Sequence, residues 1–181
     1  MVNLKDFRIA FRGLKIGYHD FELSLGTAFF KEFEALSASG GNLKANIRME
    51  KQERMLIFEF NISGTIDLTC DRCLEVYAQK VNIDKTLFVK LQNGVSEIVE
   101  ESEDVILISD QDSDFDVSHY IYEFISLSLP MRRIHGVDDK GNDLCNLEMV
   151  DLLEKKKSTH QENEESIDPR WDALKKLKNN N

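Results

Sequence analysis

The stretch Leu43-Lys44-Ala45-Asn46-Ile47-Arg48-Met49 alternates apolar and polar residues without a break. Successive side chains of a β-strand point to opposite faces, so this pattern predicts a strand with one face buried. The same period of two recurs in Leu56, Phe58, Phe60 and Ile62, and again in Ile66, Leu68 and Cys70. Gly40-Gly41 and Ser63-Gly64 read as turns between these segments. Further strand signals fall at Val76 to Ala78, at Leu87, Val89 and Leu91, and at Val105 to Ser109. The spacing predicts an antiparallel β-meander or partly closed barrel in the first half.

The second half changes to a helical period. Asp116 or Ser118 can cap a helix that aligns Tyr120, Ile121, Phe124, Ile125 and Leu129, and Pro130 would stop it. Asn146 can begin a second helix with Met149, Leu152 and Leu153 inward. The fold class expected is therefore α+β. Residues 154–167 are polar, charged and without period, and read as a linker. Asp168 as N-cap and Pro169 in the first turn open a short terminal helix, with Trp171, Leu174 and Leu177 near one face and Lys175, Lys176 and Lys178 near its end. About ten residues are too few for a helix stable alone in water, so this one needs a surface to dock on. The organisation expected is a β-rich domain with a helical end over 1–153, a linker over 154–167 and an amphipathic helix over 168–181.

The 181 residues include 41% hydrophobic side chains, enough for a core, and carry a net charge of −10. Nine of the 33 acidic residues lie between Glu97 and Asp116, a stretch without Lys or Arg. Such a stretch repels phosphate and can attract a basic partner; it can equally be a solvated loop that aids solubility, which is the favoured reading. Charges occupy the first residues where a signal peptide would need an apolar run, and no run approaches the roughly 20 apolar residues of a membrane span. A cytoplasmic protein with no membrane partner is expected. Arg132-Arg133 and the Arg170 cluster could touch RNA phosphates, yet a strongly basic stripe is absent, so tight sequence-independent RNA binding is not expected, nor is a DNA partner. Trp171 could stack on a base, but more often such a residue anchors a terminal helix in an apolar groove.

Cys70-Asp71-Arg72-Cys73 is the strongest local motif. Two thiolates at this spacing can hold one side of a tetrahedral zinc from a tight turn, and Cys145 and His135 are the best distant candidates to complete a Cys₃His set. Reduced thiols with a packing role are the competing reading. A thioredoxin-like redox role fits poorly, because both flanks read as strands where that chemistry wants a helix N-terminus. His19, His119 and His160 have no catalytic context, and no phosphate loop or zinc-protease motif occurs.

Two motifs together carry a resemblance: Cys70-Asp71-Arg72-Cys73-Leu74, and Asp168-Pro169-Arg170-Trp171-Asp172-Ala173-Leu174-Lys175-Lys176-Leu177. In their order and separation the chain resembles the YceD family. The resemblance implies a non-enzymatic role in 23S ribosomal RNA accumulation and large-subunit assembly. Many relatives carry additional cysteines after the apolar helix; this chain has Leu129 to His135 there and then only Cys145, so either His135 substitutes as a ligand or the site is lost. The expected partner is large-subunit ribosomal RNA or a basic ribosomal protein, contacted through Asp168, Pro169, Arg170, Trp171, Leu174, Lys175 and Leu177. The alternatives are an adaptor that binds a basic ribosomal protein without RNA contact, and a zinc-dependent RNA-processing protein.

Overall fold

A computed structural model describes residues 4–33, 38–94, 98–102, 105–137 and 140–161. The chain forms two compact units, Met1–Cys70 with Val76–Arg133, and Asp71–Glu75 with Ile134–Asn181. The first unit holds eight described strands: β1 (Arg8–Ala10), β2 (Gly17–Leu25), β3 (Ala38–Lys51), β4 (Met55–Thr69), β5 (Val76–Gln92), β6 (Val99–Ser102), β7 (Val105–Ser109) and β8 (Asp114–Asp116). It also holds helices α1 (Thr27–Glu32) and α2 (Ser118–Ser128). Six strands make one sheet in the order β2-β3-β4-β5-β7-β6, and β1 pairs with β8. The architecture is α+β: all eight described strands precede α2 and α3, while the short α1 lies between β2 and β3.

The meander β2-β3-β4-β5 is antiparallel throughout. It then breaks: β7 pairs with β5 in parallel, and β6 lies outside β7 as an antiparallel neighbour. Among the described residues the sheet stays open, with β2 and β6 at its edges. The meander expectation therefore holds over four strands, and the closed alternative does not.

The alternation read in the sequence is the alternation of burial. Leu43, Ala45, Ile47 and Met49 of β3 are buried, as are Leu56, Phe58, Phe60, Ile62, Ile66 and Leu68 of β4. The buried row meets Phe29 and Phe30 of α1, Phe115 of β8, and Ile121 and Ile125 of α2 in one core. Burying each such side chain contributes roughly 1.5–3 kcal/mol. Phe58 stacks on Phe115 with ring centroids 5.4 Å apart, and Phe115 stacks on Tyr120, also at 5.4 Å.

Neither glycine pair is a turn. Gly41 and Gly64 lie inside β3 and β4, each in the inward-facing row. A Cβ on Gly41 would come within 2.7 Å of the Phe30 ring. A Cβ on Gly64, whose φ is 142°, would come within 2.2 Å of the Asn42 carbonyl oxygen. The glycines admit an aromatic ring and a neighbouring backbone at close range, the other common reason for glycine in a strand. The real β3–β4 turn comes at residues 52–54.

The acidic stretch is also not simply a loop. It contributes β6, β7 and β8, and Asp114 and Asp116 form ion pairs with Arg8 at 3.2 and 3.9 Å. The Asp116 carboxylate accepts from the Ser118 backbone N–H at 2.9 Å and from its hydroxyl at 2.6 Å, which fixes the first turn of α2. Near the chain start, Lys51 donates to the carbonyls of Phe11, Arg12 and Leu14 at 2.8, 3.2 and 2.7 Å and holds that turn against β3.

In the second unit α3 spans Leu147–Gln161. It thus runs through residues 154–161, which read as linker in the sequence. Glu154, Lys155 and Lys156 are good helix formers, so a capped start carries the helix onward without an apolar face. Leu152 and Leu153 are exposed at 54% and 40%, against the expectation that they face inward. The segment 168–181, with its expected helix, lies outside the described residues, as does 162–167. No described helix is long and apolar enough to cross a membrane.

Candidate metal centre

The inward row of β4 ends on a thiol. Cys70 follows Ile66 and Leu68 at the same period and is fully buried. Residues 70–75 then connect β4 to β5, whose last and first residues, Thr69 and Val76, pair directly. Within this turn Leu74 has φ 62°, a left-handed conformation unusual for a branched side chain. That conformation lets the chain reverse directly after Cys73, which is 2% exposed.

The other two ligand candidates sit on opposite arms of a small hairpin. Val137 and Asp143 form an antiparallel bridge, and the Leu144 N–H donates to the Gly136 carbonyl at 3.2 Å. Gly141, at φ 83°, lies in the reversal. The hairpin explains how residues ten apart meet: His135 Nδ1 is 3.6 Å from Cys145 Sγ. The same Nδ1 is 3.4 Å from Cys73 Sγ.

The ligand atoms of Cys70, Cys73, His135 and Cys145 all lie within 4.8 Å of one another. The fold thus brings together all four residues singled out in the sequence. All three cysteines are buried and none forms a disulfide. A tetrahedral zinc with sulfur at about 2.3 Å and nitrogen at about 2.0–2.1 Å sets sulfur–nitrogen edges of about 3.5 Å. The two measured edges match that value. The donor set, three thiols and one imidazole, is one that zinc takes in closed structural sites.

The surrounding hydrogen bonds tie the two ligand-bearing segments together. Arg72 Nε donates to Cys145 Sγ at 3.2 Å. The far end of the same guanidinium pairs with the Asp143 carboxylate. The other Asp143 oxygen accepts from the Cys145 backbone N–H at 2.9 Å. Asn146 Nδ2 donates to Glu75 at 2.8 Å, while Asn146 Oδ1 accepts from the Glu148 and Met149 N–H groups at 3.0 and 3.4 Å and caps α3. Sequence reasoning passed over Arg72, Asp143 and Glu75. Only the placement of an arginine between the two cysteines, and of an aspartate two residues before Cys145, could have signalled them.

His19 and His119 take peripheral positions. His19 Nε2 is 2.8 Å from the Lys15 carbonyl oxygen, and His119 pairs with Glu123 at 3.1 Å on the surface of α2. Asp168, Pro169, Arg170, Trp171, Leu174, Lys175 and Leu177 all lie outside the described residues.

Compared with known proteins, residues 58–178 match the family model described as large ribosomal RNA subunit accumulation protein YceD. That span covers more than half of the chain and contains all four clustered residues. No curated protein and no solved structure shows a significant match.

Proposed function

Because the chain belongs to the YceD family of large ribosomal RNA subunit accumulation proteins, we propose that it is a cytoplasmic, non-enzymatic assembly factor that supports 23S ribosomal RNA accumulation. The single observation that carries the non-enzymatic part is that Cys70, Cys73, His135 and Cys145 offer four ligand atoms within 4.8 Å of one another. Four protein ligands leave a tetrahedral zinc no open position for water or substrate, whereas catalytic zinc sites keep one. Zinc bound by Cys70, Cys73, His135 and Cys145 would cross-link the turn at 71–75 to the hairpin at 135–145. Its contribution would be folding free energy.

The attachment point in this reading is the segment Asp168–Leu177. Arg170 and Lys175 supply cations for phosphate or an acidic surface, Asp168 and Pro169 start the helix, and Trp171, Leu174 and Leu177 supply an apolar edge. Deleting residues 168–181 is expected to lower mature large-subunit ribosomal RNA while the body stays folded. Normal ribosome profiles in a strain carrying only the truncated protein would reject this reading.

The net charge of −10, with nine acids between Glu97 and Asp116, favours a second reading. Here the protein is an adaptor that shields a basic ribosomal protein and makes no RNA contact. Salt-sensitive capture of ribosomal protein without RNA distinguishes it from the first. Cleavage of precursor RNA by the purified, metal-loaded protein would replace both with a zinc-dependent processing role.

A further inference from the structure

The geometry points to Arg72 as the positioning residue that sets how firmly the metal centre retains its ion. This inference rests on the metal-centre reading. Three thiolates and a neutral imidazole around Zn²⁺ carry one net negative charge. With all three cysteines buried, that charge is costly unless a donor or cation offsets it. Arg72 meets the requirement from inside the motif that supplies two of the ligands. Its Nε donates to Cys145 Sγ at 3.2 Å, and its side chain is 27% exposed.

The guanidinium is held at both ends. Asp143 grips the outer nitrogen and also accepts the Cys145 backbone N–H. The ligand, its hydrogen-bond donor and the carboxylate that orients the donor thus form one closed ring. A hydrogen bond to the sulfur reduces its charge density and fixes its direction toward the ion. Departure of Cys145 from the metal would strand the thiolate and break that ring. The planar guanidinium offers separate N–H donors to the sulfur and to the carboxylate, whereas a lysine ammonium would have to serve both from one nitrogen.

The fold supplies its own control. The Asn146–Glu75 bond spans the same two segments without touching a sulfur. A purely mechanical brace would make the two links equivalent.

The experiment uses full-length wild type, Arg72→Gln, Arg72→Lys and Glu75→Ala, each loaded with zinc and, separately, with cobalt. Folding is checked by circular dichroism, and release of zinc to a chromogenic chelator is timed. Arg72→Gln is expected to release zinc about tenfold faster or more, the usual scale for losing a partner of a metal ligand. Arg72→Lys falls between it and wild type, and Glu75→Ala stays within about twofold. The thiolate-to-cobalt charge-transfer band shifts to lower energy in Arg72→Gln and holds its position in Glu75→Ala. Release from Arg72→Gln within about twofold of wild type, or equal acceleration in Glu75→Ala, overturns the role of Arg72 while leaving the metal centre intact. Wild type that binds neither zinc nor cobalt overturns the metal-centre reading and this inference with it.

Discussion

Gly64 shows how much one residue type decides. It occupies the inward row of β4, where leucine, phenylalanine or isoleucine would otherwise continue the core. Its φ of 142° and the Asn42 carbonyl, 2.2 Å from a virtual Cβ, make any side chain doubly unfavourable. Gly64→Ala is expected to lower stability by about 3 kcal/mol or more, read as the shift in a urea unfolding midpoint at unchanged slope. The four ligand candidates act at the same scale. Cys73→Ala removes a thiol 3.4 Å from His135 Nδ1. It is expected to lose stoichiometric zinc on elemental analysis, since a three-ligand remnant binds structural zinc poorly. Cys70 and Cys73 were legible in the sequence because alternation and a short spacing are local signals. Arg72 and Asp143 were not, because an arginine and an aspartate 71 residues apart announce their pairing only once the chain has folded.

Among the elements, the long strands β3 and β4 were the most legible, although the two alternating segments of β4 read as separate strands. Their alternation over Leu43–Met49, Leu56–Ile62 and Ile66–Cys70 has one physical cause, a sheet wet on one face and dry on the other. The strand β2 escaped notice although Phe21, Leu23 and Leu25 also alternate with polar residues. The parallel pairing of β7 with β5 could not be read, since strand direction leaves no mark on alternation. The helix α3 illustrates the opposite error. Charge without period suggested a linker after residue 153, yet capping and propensity extend the helix to Gln161. Asn146→Ala removes both the cap and the Glu75 link. It should cost about 1 kcal/mol locally, seen as faster amide exchange over the first turns of α3 with the β-sheet amides unchanged.

For the whole molecule, the division into two compact units gives metal removal a bounded effect. The first unit has an extensive apolar core of its own, from Phe58 and Phe60 to Ile121 and Ile125. Among its described residues the second has few buried apolar side chains beside its cysteines, and Leu144, Leu147 and Leu152 are exposed. Chelation is therefore expected to open residues 134–145 to limited proteolysis while the far-ultraviolet signal of the sheet persists. Simultaneous loss of both would show that the sheet also depends on the ion. Sequence alone determined the α+β class, the rows of side chains that make the core and the motifs that mark the family. All of these are written in local periods and spacings, which the chain expresses over a few residues. Tertiary structure alone decided the strand order, the close approaches that require Gly41 and Gly64, and the convergence of His135 and Cys145 on the turn that carries Cys70 and Cys73. Those depend on which distant surfaces pack together, and packing is a property of the assembled chain.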